Sequence, residues 1–280
     1  MKNFLWFCGL SFLLVFPACR KLAPAGTEVI LNESYGTDIR NKMDVYLPEE
    51  RDLNTQVVLL IHGGAWVVGD KSNDRMQDIR NQLILDGHAV VTMNYRYADG
   101  DFHNQMDDVG KAVEHIIENS GNWGIGATEF ALMGTSAGGH LALLFSHAFD
   151  TLHVVKAVVS IVGPTDLSDP LFRQYVQNNG LTWALQAFLG ATYQDNPQVY
   201  QDASPIYHYS DVPSFFIYGL QDNLVPYRQG VAMFDTLSAH GIDADTTIFS
   251  NAGHSIYGPN NVNLDQVITE STAWIDQYLN

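Results

Sequence analysis

Gly134-Thr135-Ser136-Ala137-Gly138 is a G-x-S-x-G segment. It follows the apolar run Glu129–Met133 and precedes the helix-forming run His140–Ala148. Small residues two before and two after a serine permit a strand-to-helix turn that lifts the hydroxyl above a sheet and points a helix N-terminus at a substrate. A glycine-rich turn without chemistry would carry the same letters; the strand before and the helix after favour a nucleophile. A serine hydroxyl attacks poorly until a base takes its proton. Ten histidines are available, and chain order around such an elbow runs serine, acid, histidine. That order selects His208, His240 and His254. His254, in Asn251-Ala252-Gly253-His254-Ser255, lies after the last strand run and before the C-terminal helix, where a loop can hang over the serine. His240 falls at a helix end, where a cation is favoured in any case, and His208 abuts the 163–207 stretch and could reach substrate. The acid belongs just past the preceding strand, and Asp222 follows Ser214–Tyr218 there. It would accept a hydrogen bond from the imidazole and fix its tautomer. Asp211 precedes that strand, and Asp243 and Asp245 stand at the start of the following one. The expected set is Ser136 as nucleophile, His254 as base and Asp222 as orienting acid, a set for acyl transfer.

Negative charge developing on a carbonyl oxygen needs N–H donors aimed at it. Ala137, the residue after the serine, offers one. His62-Gly63-Gly64-Ala65-Trp66 follows the apolar run Gln56–Ile61. Glycines there let the backbone turn and approach a substrate closely, so Gly64 and Ala65 are the other expected donors. His62 reads as a hydrogen-bonding prop for this loop rather than as a base.

These segments, with Gly69-Asp70-Lys71, Asn94-Tyr95-Arg96 and the run Gly134–Ala142, resemble the alpha/beta hydrolase superfamily. Within it they resemble the hormone-sensitive-lipase-like esterases, and more closely the carbohydrate-acting esterase/lipase group, which includes acetylxylan and feruloyl esterases. The likeness extends over residues 28–279. It implies hydrolysis of carboxylic esters through an acyl-enzyme without metal or organic cofactor. The substrate would be a small-molecule or oligosaccharide ester, with acetyl or feruloyl groups on carbohydrate foremost. Ala65 stands where the HGGG pattern has its third glycine; a backbone donor survives, but esters of bulky tertiary alcohols are disfavoured. Other readings stay open. A small-molecule carboxylesterase would look the same. Kynurenine formamidases share the HGG loop and the elbow. Prolyl-oligopeptidase-like peptidases share the Asp and His spacing, though they usually carry an aromatic where this chain has Ala137. A surface lipoprotein that binds glycans without turning them over is a further alternative, because fold does not fix function.

An α/β architecture must position these groups: a mostly parallel central sheet with helices on both faces. Strands are expected at Glu28–Glu33, Met43–Leu47, Gln56–Ile61, His88–Asn94, Glu129–Met133, Val155–Val162, Ser214–Tyr218 and Asp245–Phe249. Near-continuous apolar runs such as QVVLLI fit strands buried on both faces. Helical spacing alternates with them at 74–86, 104–119, 137–149, 226–240 and 262–279. The stretch 163–207 breaks the rhythm. It reads as a helical insertion over the carboxyl edge of the sheet, where open α/β sheets bind ligands, and its aromatics Phe172, Tyr175, Trp183, Phe188 and Tyr193 suit either a ligand surface or a small core. His140 and His147, seven apart, would share one helix face as packing or surface residues. Arg96, Asp70, Asp108 and Asp166 read as loop supports. No H-E-x-x-H or paired-cysteine spacing suggests a metal site.

The 280 residues include 14 Lys and Arg against 31 Asp and Glu, a formal net charge of −17. Phosphate contacts need clustered cations, so nucleic acid is excluded as a partner. The first 18 residues carry Lys2 and the apolar stretch Phe4–Phe16, of signal-peptide length. Cys19 then follows Pro17-Ala18, which resembles a bacterial lipoprotein signal in which that cysteine is lipidated. Cleavage after Ala23-Pro24-Ala25 is the alternative. The expected organisation is a signal at 1–18, a tether at 19–27 and one domain at 28–280. The chain would be exported and held to the cell envelope only by a lipid anchor, or else secreted; oligomeric state is left open. Both cysteines, Cys8 and Cys19, lie in the leader, so the domain is expected to have no disulfide and no thiol nucleophile.

Overall fold

The computed structural model describes residues 22–73 and 76–279; the expected leader and Cys19 lie outside them. Eight strands form one sheet: β1 (Glu28–Ser34), β2 (Lys42–Leu47), β3 (Val57–Ile61), β4 (Ala89–Met93), β5 (Phe130–Thr135), β6 (Val155–Ile161), β7 (Ser214–Gly219) and β8 (Ala244–Phe249). Their spatial order is β1-β2-β4-β3-β5-β6-β7-β8. β1 and β2 pair antiparallel, as do β2 and β4, and every pairing from β4 to β8 is parallel. Every residue of β3 and β4 is buried, as helices on both faces require. The outermost strand β1 is exposed, carries Glu28 and Glu33, and slips register between Ile30 and Glu33; charge and irregularity keep such an edge from pairing with another chain.

Among the described residues eight α-helices accompany the strands, the last of them after β8: α1 (Gln77–Leu85), α2 (His103–Trp123), α3 (Ala137–Leu144), α4 (Pro170–Asn178), α5 (Thr182–Leu189), α6 (Pro197–Asp202), α7 (Arg228–Ala239) and α8 (Leu264–Tyr278). α1 packs on α8, and α2 on α3, with the sheet between the two pairs. The mostly parallel sheet and flanking helices are those of the alpha/beta hydrolase fold.

Two helices depart from their expected bounds by four residues or more. α2 runs through the polar residues 118–122 to bury Trp123, and ends where Gly124 turns left-handed (φ 70°). α3 stops at Leu144 and passes into a π-turn, Phe145–Phe149. There Ser146 Oγ donates to the Ala142 carbonyl at 2.7 Å, a bond that competes with the regular helix ladder. The turn sends His147 to Ser210 and Ser214 (3.2 and 3.0 Å). His140 and His147 are both buried, so neither is a surface residue.

The parallel pairing has one consequence for chemistry. β3, β5, β7 and β8 all end at the same rim, and the segments beginning at His62, Ser136, Leu220 and Ser250 leave from it together.

Candidate active site

Ser136 sits at the tip of the β5–α3 turn with φ 53° and ψ −122°. L-residues avoid this backbone region unless their surroundings impose it. Its N–H donates to the Ile161 carbonyl at 2.7 Å, and its own carbonyl receives His140 N–H at 3.0 Å. The two flanking glycines are steric necessities. A Cβ on Gly134 would stand 2.2 Å from the Gly138 carbonyl carbon, and one on Gly138 2.1 Å from the Ile61 oxygen.

His254, from the loop after β8, brings Nε2 to 3.0 Å from Ser136 Oγ. Its Nδ1 lies 2.8 Å from Asp222 Oδ2. A carboxylate only accepts, so Nδ1 carries the proton and the lone pair of Nε2 faces the hydroxyl. The Asp222 side chain is fully buried, whereas that of His254 is 24% exposed, open enough for water or an alcohol to reach it. Asp222 Oδ1 accepts from the N–H groups of Leu224 and Val225 at 2.8 and 2.9 Å, so both oxygens are held. The other late histidines are engaged elsewhere. His208 lies by the Asp202 carbonyl, and His240 lies by the Thr236 carbonyl and against the Tyr209 ring.

The loop after β3 takes an unusual path. Gly64, Ala65 and Trp66 all have positive φ (131°, 47° and 63°). At Gly64 no other residue fits, since a Cβ would lie 1.9 Å from the Val68 oxygen. The Gly64 carbonyl accepts from Val67 and Val68 N–H, which closes the turn. The backbone N–H groups of Gly64, Ala65 and Ala137 have no acceptor among the described residues, and Ala65 and Ala137 line the pocket that also holds Ser136. Donors left unpaired beside a nucleophile are what an oxyanion requires.

His62 lies beneath this loop as a prop. It stacks on Tyr95 at 4.4 Å, its Nδ1 donates to the Gly63 carbonyl at 2.7 Å, and Arg40 reaches its Nε2 at 3.4 Å. Burial pushes its imidazole down to about 4 despite the Gly63 bond, which keeps the ring neutral and able to play both roles.

A family model described as BD-FAE matches residues 43–237, a stretch that contains Ser136 and Asp222 and ends before His254. The chain belongs to the BD-FAE family. A probable isoprenylcysteine alpha-carbonyl methylesterase of Oryza sativa subsp. japonica is 24% identical over 91% of this chain and 64% of its own length. A probable carboxylic ester hydrolase, LipM of Mycobacterium tuberculosis, is 30% identical over 73% of this chain and 50% of its own. The chain thus spans between half and about two thirds of these relatives. Among solved structures, a bifunctional GH43-CE protein of Bacteroides eggerthii superposes with a TM-score of 0.75 at 24% identity, over 88% of this chain and 38% of that one. A truncated carbohydrate esterase from gut microbiota gives 0.72 at 21% identity, over 90% of this chain and all of that one.

Several side chains that shape this BD-FAE site carry no spacing signal. Arg40 donates to the carbonyls of Tyr95 and Gly69 (2.8 and 3.0 Å) and lies over the Tyr97 ring, tying three loop segments together. His140, fully buried, receives Trp66 Nε1–H at 3.3 Å and donates to the Ala203 carbonyl at 2.7 Å; burial lowers it to about 4. Trp66 in turn stacks on Phe188 of α5 at 4.6 Å. Phe172 and Phe188 are core residues, Phe172 also lines the pocket beside Ser136, and Trp183 is exposed.

The four loop supports read from sequence do brace loops. Asp108 accepts from Arg96 N–H and Nε. Asp70 accepts from Ser72 and Asn94; burial pushes its carboxyl up, but these bonds and Lys71 outweigh it and hold it at about 2. Asp166 caps the turn to Ser168. Among the described residues no cluster of three His, Asp or Glu is placed to hold a metal.

Proposed function

We propose that this chain is a serine hydrolase that cleaves carboxylic esters through a covalent acyl-enzyme, acting on short acyl groups, acetyl or feruloyl, carried by carbohydrates. The observation that carries the reading is the hydrogen-bonded line from Ser136 through His254 to Asp222, set beside unpaired backbone N–H groups.

In the proposed cycle Ser136 Oγ bonds to the ester carbonyl carbon as its proton passes to His254 Nε2. The N–H groups of Gly64, Ala65 and Ala137 receive the oxyanion. The carbon–oxygen bond to the alcohol then breaks, and the proton on Nε2 goes to the departing oxygen. Water repeats the sequence on the acyl-enzyme, with His254 again taking the proton, and the carboxylic acid leaves. Asp222 holds the imidazole in place and offsets its positive charge in each half.

Ester cleavage is supported by relatives named as esterases. The carbohydrate half is supported by two structural neighbours described as carbohydrate-esterase proteins. The net charge of −17 sets the chain against strongly anionic polymers.

A fluorophosphonate probe tests the core of the reading. It should label the protein at Ser136, and Ser136→Ala should remain folded, escape labelling and lose hydrolysis of p-nitrophenyl acetate by roughly 10,000-fold or more. Labelling or turnover retained in that variant refutes it. Acetate or ferulate released from acylated xylan oligosaccharides, against simple alkyl esters, tests the carbohydrate half.

A further inference from the structure

The space beside Ser136 is small and apolar, and most of the residues that line it are buried. Trp66, Phe172, Val176, Leu181, Leu185 and Val225 form its walls, and Ser136 and Ala137 stand at its mouth. His254 is not among its lining residues. The alcohol oxygen of a bound ester must come within reach of His254 Nε2, which hands it a proton. The alcohol half therefore lies on the histidine side, and the pocket receives the acyl half.

Its free volume is about 30 Å³. A water-sized group needs roughly 10–15 Å³, so about two such groups fit, enough for a methyl and little beyond it. An apolar cavity that takes up a benzene ring is on the order of 150 Å³. The walls are also braced. Phe172 and Leu185 are 2% and 3% exposed, Trp66 is stacked and hydrogen-bonded from behind, and α5 is tied to Gly100 N–H through the Ala187 carbonyl at 2.6 Å. Forcing extra carbons into a packed wall pushes side chains off their preferred rotamers and is unfavourable.

We infer that this is an acetyl pocket, with Leu181 and Leu185 of the α4–α5 segment and Phe172 of α4 setting its depth, so that the enzyme removes acetyl groups and rejects feruloyl and longer acyl chains. The inference rests on the serine-esterase reading and narrows it to one of its two acyl classes.

The test compares kcat/KM for p-nitrophenyl acetate, p-nitrophenyl butyrate and p-nitrophenyl ferulate in the full chain and in Leu185→Ala and Leu181→Ala. The parent should prefer acetate to butyrate by about 10-fold or more, the discrimination one or two methylenes can give in an apolar pocket, with ferulate lower still. In either folded variant the acetate-to-butyrate ratio should fall by about 10-fold. A parent that cleaves butyrate or ferulate as well as acetate overturns the inference, and so does a ratio unmoved in both folded variants. The parent's ratio decides alone if neither variant folds. Fluorophosphonate labelling of Ser136 with the wrong acyl preference sinks only the acetyl pocket; no labelling and no ester cleavage sink the serine-esterase reading with it.

Discussion

Asp222 is the residue with least freedom in the site. One oxygen is taken by His254 and the other by two backbone N–H groups, and the carboxylate is wholly enclosed. Asp222→Asn should preserve the fold, because the amide has the same outline. Its NH2 group would face the wrong way for Nδ1–H or favour the opposite tautomer, and kcat should fall by about 10,000-fold. Unchanged kcat on p-nitrophenyl acetate would show that the aspartate does not set the imidazole. Ser136, Asp222 and His254 were legible in the sequence because each stands at a fixed place after a strand, and parallel strands deliver such places to one rim. Arg40 was not legible. It bonds to the Tyr95 carbonyl, 55 positions away, and any chain has a carbonyl at every position, so the partner leaves no mark in the letters. Ala65 and Trp66 hid their left-handed backbone for a related reason: non-glycine residues give no sign of positive φ.

Elements were easier to read than the bonds between them. All eight strands fall within about a residue or two of their expected bounds; for the central parallel strands the reason is that they are buried and apolar on both faces. α2 outran expectation because Trp123 buries itself beyond a polar stretch, an event of packing rather than of periodicity. The π-turn after α3 was invisible in the periodicity; Ser146 Oγ bonds back to the Ala142 carbonyl within it. α2 is joined to the β4 end at Arg96, where the buried carboxylate of Asp108 holds both main chain and guanidinium and Asn104 and Gln105 add neutral bonds. Asp108→Ala would strand that N–H and leave the guanidinium only its neutral partners, the Asn104 side chain and carbonyl. Losing one member of a buried pair typically costs about 3–5 kcal/mol; Arg96 keeps part of its water, so a loss of about 2–3 kcal/mol is expected. Urea unfolding measures it, and a loss below about 1 kcal/mol would mean the pair does not secure α2.

At the scale of the molecule, three of the buried imidazoles, His62, His140 and His147, are each lowered to about 4 by burial. In the unfolded chain a histidine titrates near ~6.5. Below that pH the unfolded chain binds protons that the folded one refuses. The stability these residues permit is therefore complete above about pH 6.5, drains away as pH falls towards 4, and changes little below that on their account. Each contributes on the order of 3 kcal/mol across the window, against a typical total of about 5–15 kcal/mol. Thermal melts between pH 8 and pH 4 should show Tm dropping steeply below about pH 6; a Tm level down to pH 4.5 would contradict the burial of these rings. One last property follows from where the imidazole of the proposed triad enters the chain. It arrives 118 residues after the serine it is to activate, on the loop beyond the final strand. A ribosome therefore releases the elbow long before its partner, and until β8 docks, Ser136 is an ordinary alcohol: the timing of synthesis itself keeps the unfinished protein chemically silent.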